Sequence, residues 1–386
     1  MSLNFNHLMD TTAPICRLPT DILLILVHIL VDQQQHQPRQ QGLLPLLHTC
    51  RVMRDVVEPF IYQDIKVDWK RRSGMLLLRT LVDRPDLAQS VTAFDGYLIT
   101  DMEDNDDGAM WSPRQHGDKR SYAEVVQFKI LLTQAINGMK NLRSLRLRES
   151  EHYLEPLSLG GPIQYPGHFH HAHLTSLNIG GRWCHLGWVS TKHLPAQTTA
   201  ATRILSIIRN QPLLEYLRLP MEFCELVKEP FLPTDIPQLR SLCASADDAG
   251  LIVPGRPVTR LQLLHPPTYS FRDTWKDLGR STKPLRDLTI QFFHPALSLS
   301  DQLPGMITHL PQLETLTILG VIIDYYHAIV NDIPLFANLH TLNLHIDYMQ
   351  GMSLWEDLQS KFDHIRVSVL YAVDCCEECR IMIPTV

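Results

Sequence analysis

The apolar positions are densest near the start of the chain, where Leu18-Pro19-Thr20-Asp21-Ile22-Leu23 opens a long run. Nine of the ten residues from Ile22 to Val31 are apolar, and only His28 is polar. Pro19 suits the first turn of a helix, where its missing N–H is no loss, and Asp21 places negative charge at the positive end of the helix. The pattern predicts a helix without a solvent-facing side, covered from two directions.

A second apolar stripe follows a polar, Gln-rich stretch from Asp32 to Gly42 that predicts a loop. Three- and four-residue spacing predicts one helical segment, which ends at Pro59, with the stripe Leu43, Leu46, Leu47, Cys50, Met53 and Val57. Only about 50 residues separate Leu18 from Val67, a length at which a lone core is marginal. We therefore expect the rest of this protein to cover one side of the first helix and a second protein to cover the other.

Strand and helix patterns then alternate. Ile61, Ile65 and Val67 alternate with polar residues as in a strand, Leu76 to Leu81 predicts a helix, and Val91 to Phe94 predicts another strand. Residues 101–119 are acidic and predict a solvated insertion, after which the spacing of apolar residues from Val125 to Ile136 predicts a further helix.

From residue 142 a Leu-x-x-Leu-x-Leu pattern returns eight times. Its first positions are Leu142, Leu174, Leu214, Leu239, Val258, Leu285, Leu313 and Leu339, at intervals of 32, 40, 25, 19, 27, 28 and 26 residues. Most of these intervals lie within or near the period of leucine-rich repeats, roughly 20–29 residues. The Asn or Cys that commonly follows such a strand is missing, so we expect the turns to be irregular.

Such repeats predict an α/β fold in which parallel strands and return helices build a curved solenoid with the sheet on its concave face. Helical or turn-like pieces are expected at Ala200 to Arg209, Phe271 to Leu278 and Tyr325 to Val330, and a last strand at Ile365 to Val369. The long intervals place loops at Glu149 to His173 and Gly180 to Thr199.

Composition narrows the function. A net charge of -6 and a pI near 6.3 disfavour a general nucleic-acid binder. The ten-residue apolar run is about half of a membrane span, and the first ten residues lack the pattern of a secretory signal. Because the eight cysteines are scattered, we expect reduced thiols in the cytoplasm or nucleus and no structural disulfides. We also expect no cofactor and no membrane partner.

Leu18-Pro19-x-x-Ile22-Leu23, with Ile29-Leu30 and Leu46-Leu47-His48-Thr49-Cys50-Arg51 beyond it, resembles an F-box. The continuation Pro59-Phe60-Ile61-Tyr62 and the repeats look like the fungal F-box proteins that carry irregular leucine-rich repeats. The resemblance implies a substrate receptor of a ubiquitin ligase built from Skp, cullin and F-box subunits. It also implies contacts with the Skp adaptor, and through it with a cullin, from Leu18, Pro19, Ile22, Leu23, Ile29, Leu46, Cys50 and Arg51.

These readings divide the chain into an N-terminus at 1–16, an F-box-like helical module at 17–67, a repeat solenoid at 68–374 and a tail at 375–386. A competing interpretation is a scaffold outside any ligase, in which the N-terminal helices only cap the repeats.

The concave face would bind the protein target. Residues between the buried leucines face that side, because side chains alternate along a strand. The predicted target-binding set is Arg146, Arg148, Asn178, Arg218, Arg260, Gln262, Thr289, Thr317 and Asn343. We hypothesise that Arg146, Arg148, Arg218 and Arg260 bind an acidic or phosphorylated segment; the alternative is an ordinary solvated face.

No catalytic motif is present, so we expect a non-enzymatic protein that holds its target near the transfer machinery. Two clusters contain metal-ligand residue types, His168, His170, His171 and His173, and Cys375, Cys376 and Cys379. Neither has a second matching pair at finger-like spacing, which favours a loop and a tail over zinc sites.

Overall fold

The computed structural model describes residues 18–33, 42–68, 72–98, 122–149, 171–181, 202, 204–219, 223, 231–264, 271–291, 299–321, 331–347 and 364–372. The predicted acidic insertion, both long repeat loops apart from their ends, the helical piece at Tyr325 to Val330 and the C-terminal tail lie outside these residues. The chain forms two compact units. The first holds the described residues up to Arg146 with His171–Leu174, and the second holds those from Leu147 and from Thr175 onward.

The first unit begins with helix α1 (Thr20–Gln33), a 3₁₀ helix (Leu44–His48) and α2 (Arg51–Ile61). Strand β1 (Asp64–Asp68), α3 (Arg72–Asp83), α4 (Pro85–Ser90), β2 (Ala93–Leu98) and α5 (Tyr122–Gly138) follow. Strand β3 (Ser144–Glu149) begins in this unit, which ends at Arg146. Helix α3 packs against α4 and α5, and β1 pairs in parallel with β2.

In the second unit, strands β4 (Ser176–Gly181), β5 (Tyr216–Arg218) and β6 (Ser241–Ala244) come before α6 (Ala246–Ile252). Strand β7 (Arg260–Leu264), α7 (Phe271–Leu278), β8 (Asp287–Gln291), α8 (Leu299–His309) and β9 (Thr315–Val321) come next. A 3₁₀ helix (Ile333–Leu335), β10 (Thr341–Asp347) and β11 (Arg366–Ala372) complete it.

The strands are ordered in the sheet as in the chain, from β1 to β11. Every pair whose register is described is parallel. All eight predicted repeat strands are present, and the first apolar residue of each repeat, seven leucines and Val258, is buried. The predicted α/β fold with a parallel-sheet repeat solenoid is confirmed.

A backbone ladder joins successive repeats at the start of each strand. One carbonyl per repeat accepts two N–H groups from the next repeat: Glu215 and Tyr216 donate to Thr175, and Arg240 and Ser241 donate to Glu215. The same bonds recur up to His340 and Thr341, which donate to Glu314, with N···O distances of 2.8–3.1 Å. Because these bonds use only main-chain atoms, the missing Asn leaves the strand starts regular.

The N-terminal helices have a small core of their own. Leu23, Val27 and Val31 line one face of α1 at four-residue spacing and pack against Leu43, Met53, Val56 and Val57. The second apolar stripe is not one helix, as its spacing suggested. The chain is extended at Cys50, whose sulfur accepts the Met53 N–H at 3.4 Å and caps α2. Pro59 also does not end α2, which continues to Ile61 and loses only one bond in its last turn.

Helices of the second unit pack in sequence, α6 on α7 and α7 on α8. Trp275 of α7 is fully buried and donates from Nε1 to Gln302 Oε1 of α8 at 3.1 Å. Gly305 of α8 lies against the same indole, where an added Cβ would come within 2.7 Å of Trp275 Cδ1. Only a residue without a side chain allows α7 and α8 to approach this closely.

Arg256 is a buried cation whose guanidinium binds backbone carbonyls of the segment before β6. It is 1% exposed, and its guanidinium donates to the backbone carbonyls of Asp235 at 2.9 Å, Pro254 at 3.3 Å, Ile252 and Leu232. Burial lowers the pKa of Arg256, and nearby Asp235 acts in the opposite direction. These bonds hold a turn in which Ile236 adopts a positive φ of 48°, a conformation that a β-branched residue rarely adopts.

We predict that Gly305→Ala destabilises the chain by about 1–3 kcal/mol, because the new methyl group displaces the Trp275 ring. Gly250→Ala is the matched control, since Gly250 also lies in a helix but its nearest Cβ neighbour is 3.7 Å away. That change should leave stability unchanged or raise it slightly. Urea denaturation followed by circular dichroism compares the two; equal stabilities would contradict the packing described.

We also predict that Leu23→Ala lowers the free energy of unfolding of the N-terminal module by about 2–5 kcal/mol, because Leu23 is fully buried. Ile25→Ala, two residues away and 54% exposed, should change that free energy of unfolding by less than about 0.5 kcal/mol. Hydrogen exchange of amides in α1 and α2 measures both variants. Similar exchange rates in the two would mean that the core does not depend on the Leu23 face.

Candidate functional site

Helix α1 carries a second apolar face that the described structure leaves open to solvent. Ile22, Ile25 and Ile29 are 43%, 54% and 47% exposed, at spacings of three and four residues that place them on one side of the helix. We call the full exposed set of Leu18, Ile22, Ile25, Leu26, Ile29 and Leu30 the apolar ridge. Together they form a contiguous apolar stripe of the kind that marks an interaction surface.

Further exposed apolar side chains belong to the two segments that pack beside α1. Leu44 of the 3₁₀ helix and Val52 of α2 are 46% and 40% exposed. His28 lies against Phe60 with ring centroids 4.9 Å apart in an edge-to-face arrangement. The N-terminal module therefore buries one apolar face of α1 in its own core and leaves the other exposed.

The residues that the F-box resemblance assigned to adaptor contact differ in their exposure to solvent. Leu18, Ile22 and Ile29 belong to the apolar ridge, Arg51 is exposed at the start of α2, and Leu46 is half-buried against the core. Pro19 begins α1, its carbonyl accepting the N–H groups of Ile22 and Leu23 at 3.0 and 3.1 Å.

Leu23 and Cys50 have structural roles inside the module. Leu23 is 0% exposed and packs inside the module, so its side chain has no surface to offer a partner. Cys50 is half-buried, and its sulfur caps α2. Sequence reasoning missed Ile25, Leu26, Leu44 and Val52, although helical spacing from Ile22 identifies the first two.

On the sheet, strand register brings the predicted target-binding residues level with one another. We call Asn178, Arg218, Cys243, Gln262, Thr289, Thr317 and Asn343 the central row; each is paired across the sheet with the next. Asn343 Nδ2 donates to Thr317 Oγ1 at 3.1 Å. The apolar residues on either side of the row are buried.

The row is not uniformly accessible. Cys243 is 1% exposed and Gln262 is 8% exposed, so the middle of the row is closed. Burial raises the pKa of the Cys243 thiol to about 11, and the nearby positive charge of Arg218 lowers it in part. Asn178, Arg218, Thr289, Thr317 and Asn343 are half-buried and remain candidates for contact with a target.

Two of the four arginines predicted to bind an acidic target already have acidic neighbours. Arg146 lies 3.8 Å from Asp95, and Arg260 lies 3.2 Å from Asp287. The side chain of Arg148 lies outside the described part of the chain. A ligand carboxylate would have to compete with these internal partners, so the strand face is mixed in charge rather than basic.

Within the described residues, no three His, Cys, Asp or Glu side chains come together as a metal-ligand set. His171 is buried and His173 is exposed, while His168, His170 and the three C-terminal cysteines lie outside the described part. No helix in that part has the length and hydropathy needed to cross a membrane.

Comparison with known proteins gives limited information. No protein-family model matches the chain, and no curated protein matches it. Among solved structures, the chain is similar to one titled "Crystal structure of Rad7 and Elc1 complex in yeast". Sequence identity is 9% over 90% of this chain and 92% of the other, with a TM-score of 0.32. Because that score is low, the fold assignment rests on the strand order and register of this chain.

Proposed function

We propose that this protein is a substrate-recognition subunit of a Skp, cullin and F-box ubiquitin ligase. In this proposal the apolar ridge docks on the Skp adaptor, and the repeat unit binds a protein target. The chain performs no chemistry itself but raises the effective concentration of the target beside the transfer machinery. We place it in the cytoplasm or nucleus, where such ligases act.

The apolar ridge is the observation that carries this proposal. Six aliphatic side chains of one helix and its entry are each more than a third exposed. Burying one such side chain contributes roughly 1.5–3 kcal/mol, so a partner that covers several of them gains a large driving force. A partner supplies the cover that the module itself leaves out.

The identity of the partner comes from the resemblance rather than from the geometry. Leu18-Pro19-x-x-Ile22-Leu23 opens the F-box-like segment, and the ridge extends that motif along α1 through Ile25 and Ile29. The structure adds that Leu23 serves the core while Ile22 serves the surface. Substitutions on the ridge can therefore probe docking without disturbing the core.

A scaffold in which the N-terminal helices only cap the repeats is the alternative. A cap presents a polar outer face to solvent, because its task is to end the apolar stack. The exposed face of α1 is apolar, and this favours docking over capping.

We predict that Ile22→Asp combined with Ile29→Asp weakens adaptor binding about a hundredfold or more, because two exposed aliphatic contacts are replaced by charges. The wild-type chain should form a stoichiometric complex when co-expressed with a Skp adaptor. Size-exclusion chromatography detects that complex, and titration calorimetry measures its affinity.

The matched control is Leu76→Asp combined with Leu251→Asp, since both leucines are in helices and are 56% and 59% exposed. This control should bind the adaptor normally. If the folded wild-type chain forms no complex, the ligase proposal fails and the scaffold alternative remains. If both double variants lose binding equally, the ridge is not the docking surface.

A further inference from the structure

A cleft of about 360 Å³ lies in the second unit, between the segment that follows α7 and the segment that follows α8. Residues 276–285 supply most of one wall, and residues 308–312 supply the other. The cleft belongs to the connections between repeats, so it is separate from the central row on the strands.

The floor of the cleft is apolar. Pro284 and Pro311 line it and are exposed, whereas Leu278, Leu285 and Leu310, which also line it, are buried. The two hydroxyl groups in the wall are already engaged: Ser281 Oγ donates to Arg256 O at 2.8 Å, and Thr308 Oγ1 donates to Pro304 O at 2.7 Å. Neither hydroxyl hydrogen is free to bond a ligand, so the basic side chains are the donors that remain for an anionic ligand.

The rim of the cleft is cationic. Lys276, Arg280 and Lys283 line it and are exposed, and none of the lining residues is acidic. Arg280 pairs with Asp277 at 3.2 Å, a residue outside the lining. In the part of the chain that the structure describes, Lys276 and Lys283 form no ion pair. A chain with a net charge of -6 thus presents a local excess of positive charge at this cleft.

Neighbouring cations in the same unit behave differently. Arg240 lies 4.0 Å from Glu215, Arg260 lies 3.2 Å from Asp287, and Arg286 lies 3.5 Å from Glu314. Each of these pairs joins adjacent repeats at equivalent positions. Within the described ranges, Lys276 and Lys283 do not take part in such ion pairs between adjacent repeats.

Helix ends account for only part of the positive charge. Lys276 lies in the last turn of α7, where a positive charge is stabilised by the negative end of the helix dipole. Lys283 lies five residues beyond the end of α7, outside the reach of that effect. The α7 carbonyls of Trp275 and Asp277 are also bonded to the N–H groups of Gly279 and Arg280, at 3.0 Å each.

We propose that this cleft binds an acidic segment of the target protein in which carboxylate side chains alternate with aliphatic ones. The carboxylates pair with Lys276 and Lys283, and an aliphatic side chain packs on the exposed rings of Pro284 and Pro311. This inference rests on the proposed receptor function and assigns acidic recognition to the repeat connections rather than to the strand-face arginines.

Carboxylates suit the cleft better than a phosphate group does. Phosphate recognition favours the planar fork of arginine, which binds two oxygens at once. Arg280 is the one arginine in the lining, and its guanidinium already holds Asp277. The two lysines are separate point charges on flexible stems, which matches carboxylates spread along a segment.

The test uses the full chain and a fluorescein-labelled peptide of sequence Glu-Leu-Asp-Leu-Glu-Leu-Asp, with binding followed by fluorescence anisotropy. Lys276→Glu combined with Lys283→Glu should weaken binding by about tenfold or more, because attraction becomes repulsion. Added salt should weaken wild-type binding. A peptide with Gln and Asn in place of the acids should bind much more weakly than the acidic one.

The control is Lys66→Glu combined with Lys140→Glu, which makes the same change in net charge at two exposed lysines outside the cleft. It should bind the acidic peptide as the wild type does. The proposal is overturned if the acidic peptide does not bind, if both double variants lose binding equally, or if Arg218→Ala with Arg260→Ala abolishes binding instead. Preference for a phosphoserine peptide over the acidic one would also overturn it.

Adaptor binding of the same variants separates this inference from the receptor proposal. Lys276→Glu with Lys283→Glu should form the adaptor complex normally, which also shows that the variant is folded. An adaptor complex without peptide binding overturns the cleft alone. Peptide binding that depends on the lysines, without any adaptor complex, supports the cleft and overturns the ligase proposal.

Discussion

One backbone carbonyl in each repeat fixes the register on which the rest of the structure depends. Thr175, Glu215, Arg240, Thr259, Arg286 and Glu314 each accept two main-chain N–H groups from the following repeat. Main-chain bonds do not depend on side-chain type, so the ladder tolerates repeats of different length and turn sequence. Once register is fixed, the alternation of the strand decides that leucines enter the core and that the residues between them face outward.

The same register explains how charge is arranged on the sheet. Residues at the same position of adjacent repeats lie side by side, at the spacing of neighbouring strands, about 4.8 Å. Opposite charges at such positions neutralise one another, as Arg260 and Asp287 do, and as Arg146 and Asp95 do in the first unit. Exposed pairs of this kind contribute little to stability. They do remove free positive charge from the strand face, which then favours polar contacts over attraction to acidic ligands.

Much of the fold follows from local pattern. The Leu-x-x-Leu-x-Leu spacing predicted every repeat strand, and the bounds predicted for the segment Phe271 to Leu278 agree with those of α7. Both predictions succeeded because periodicity depends only on neighbours along the chain. The break at Cys50 was missed, since apolar spacing continues across it while the backbone becomes extended. Arg256 was missed because an arginine bonded to four carbonyls is recognisable only once those carbonyls converge. The ion pairs of the face were visible in principle, as opposite charges at equivalent positions of adjacent repeats.

The two faces of α1 show what composition can and cannot decide. The sequence predicted a helix covered on every side; the described chain covers only the Leu23 face and leaves the Ile22 face exposed, so cover of that second face stays a prediction. Leu23 and Ile22 are both aliphatic and adjacent, so residue type does not distinguish them; only the positions of Met53, Val56 and Val57 on α2 place Leu23 inside. The sequence pattern Leu18-Pro19-x-x-Ile22-Leu23 therefore combines two physical roles, since Leu23 packs in the core and Ile22 lies on the surface. Separating those roles makes the ridge a surface that can be altered without unfolding the module.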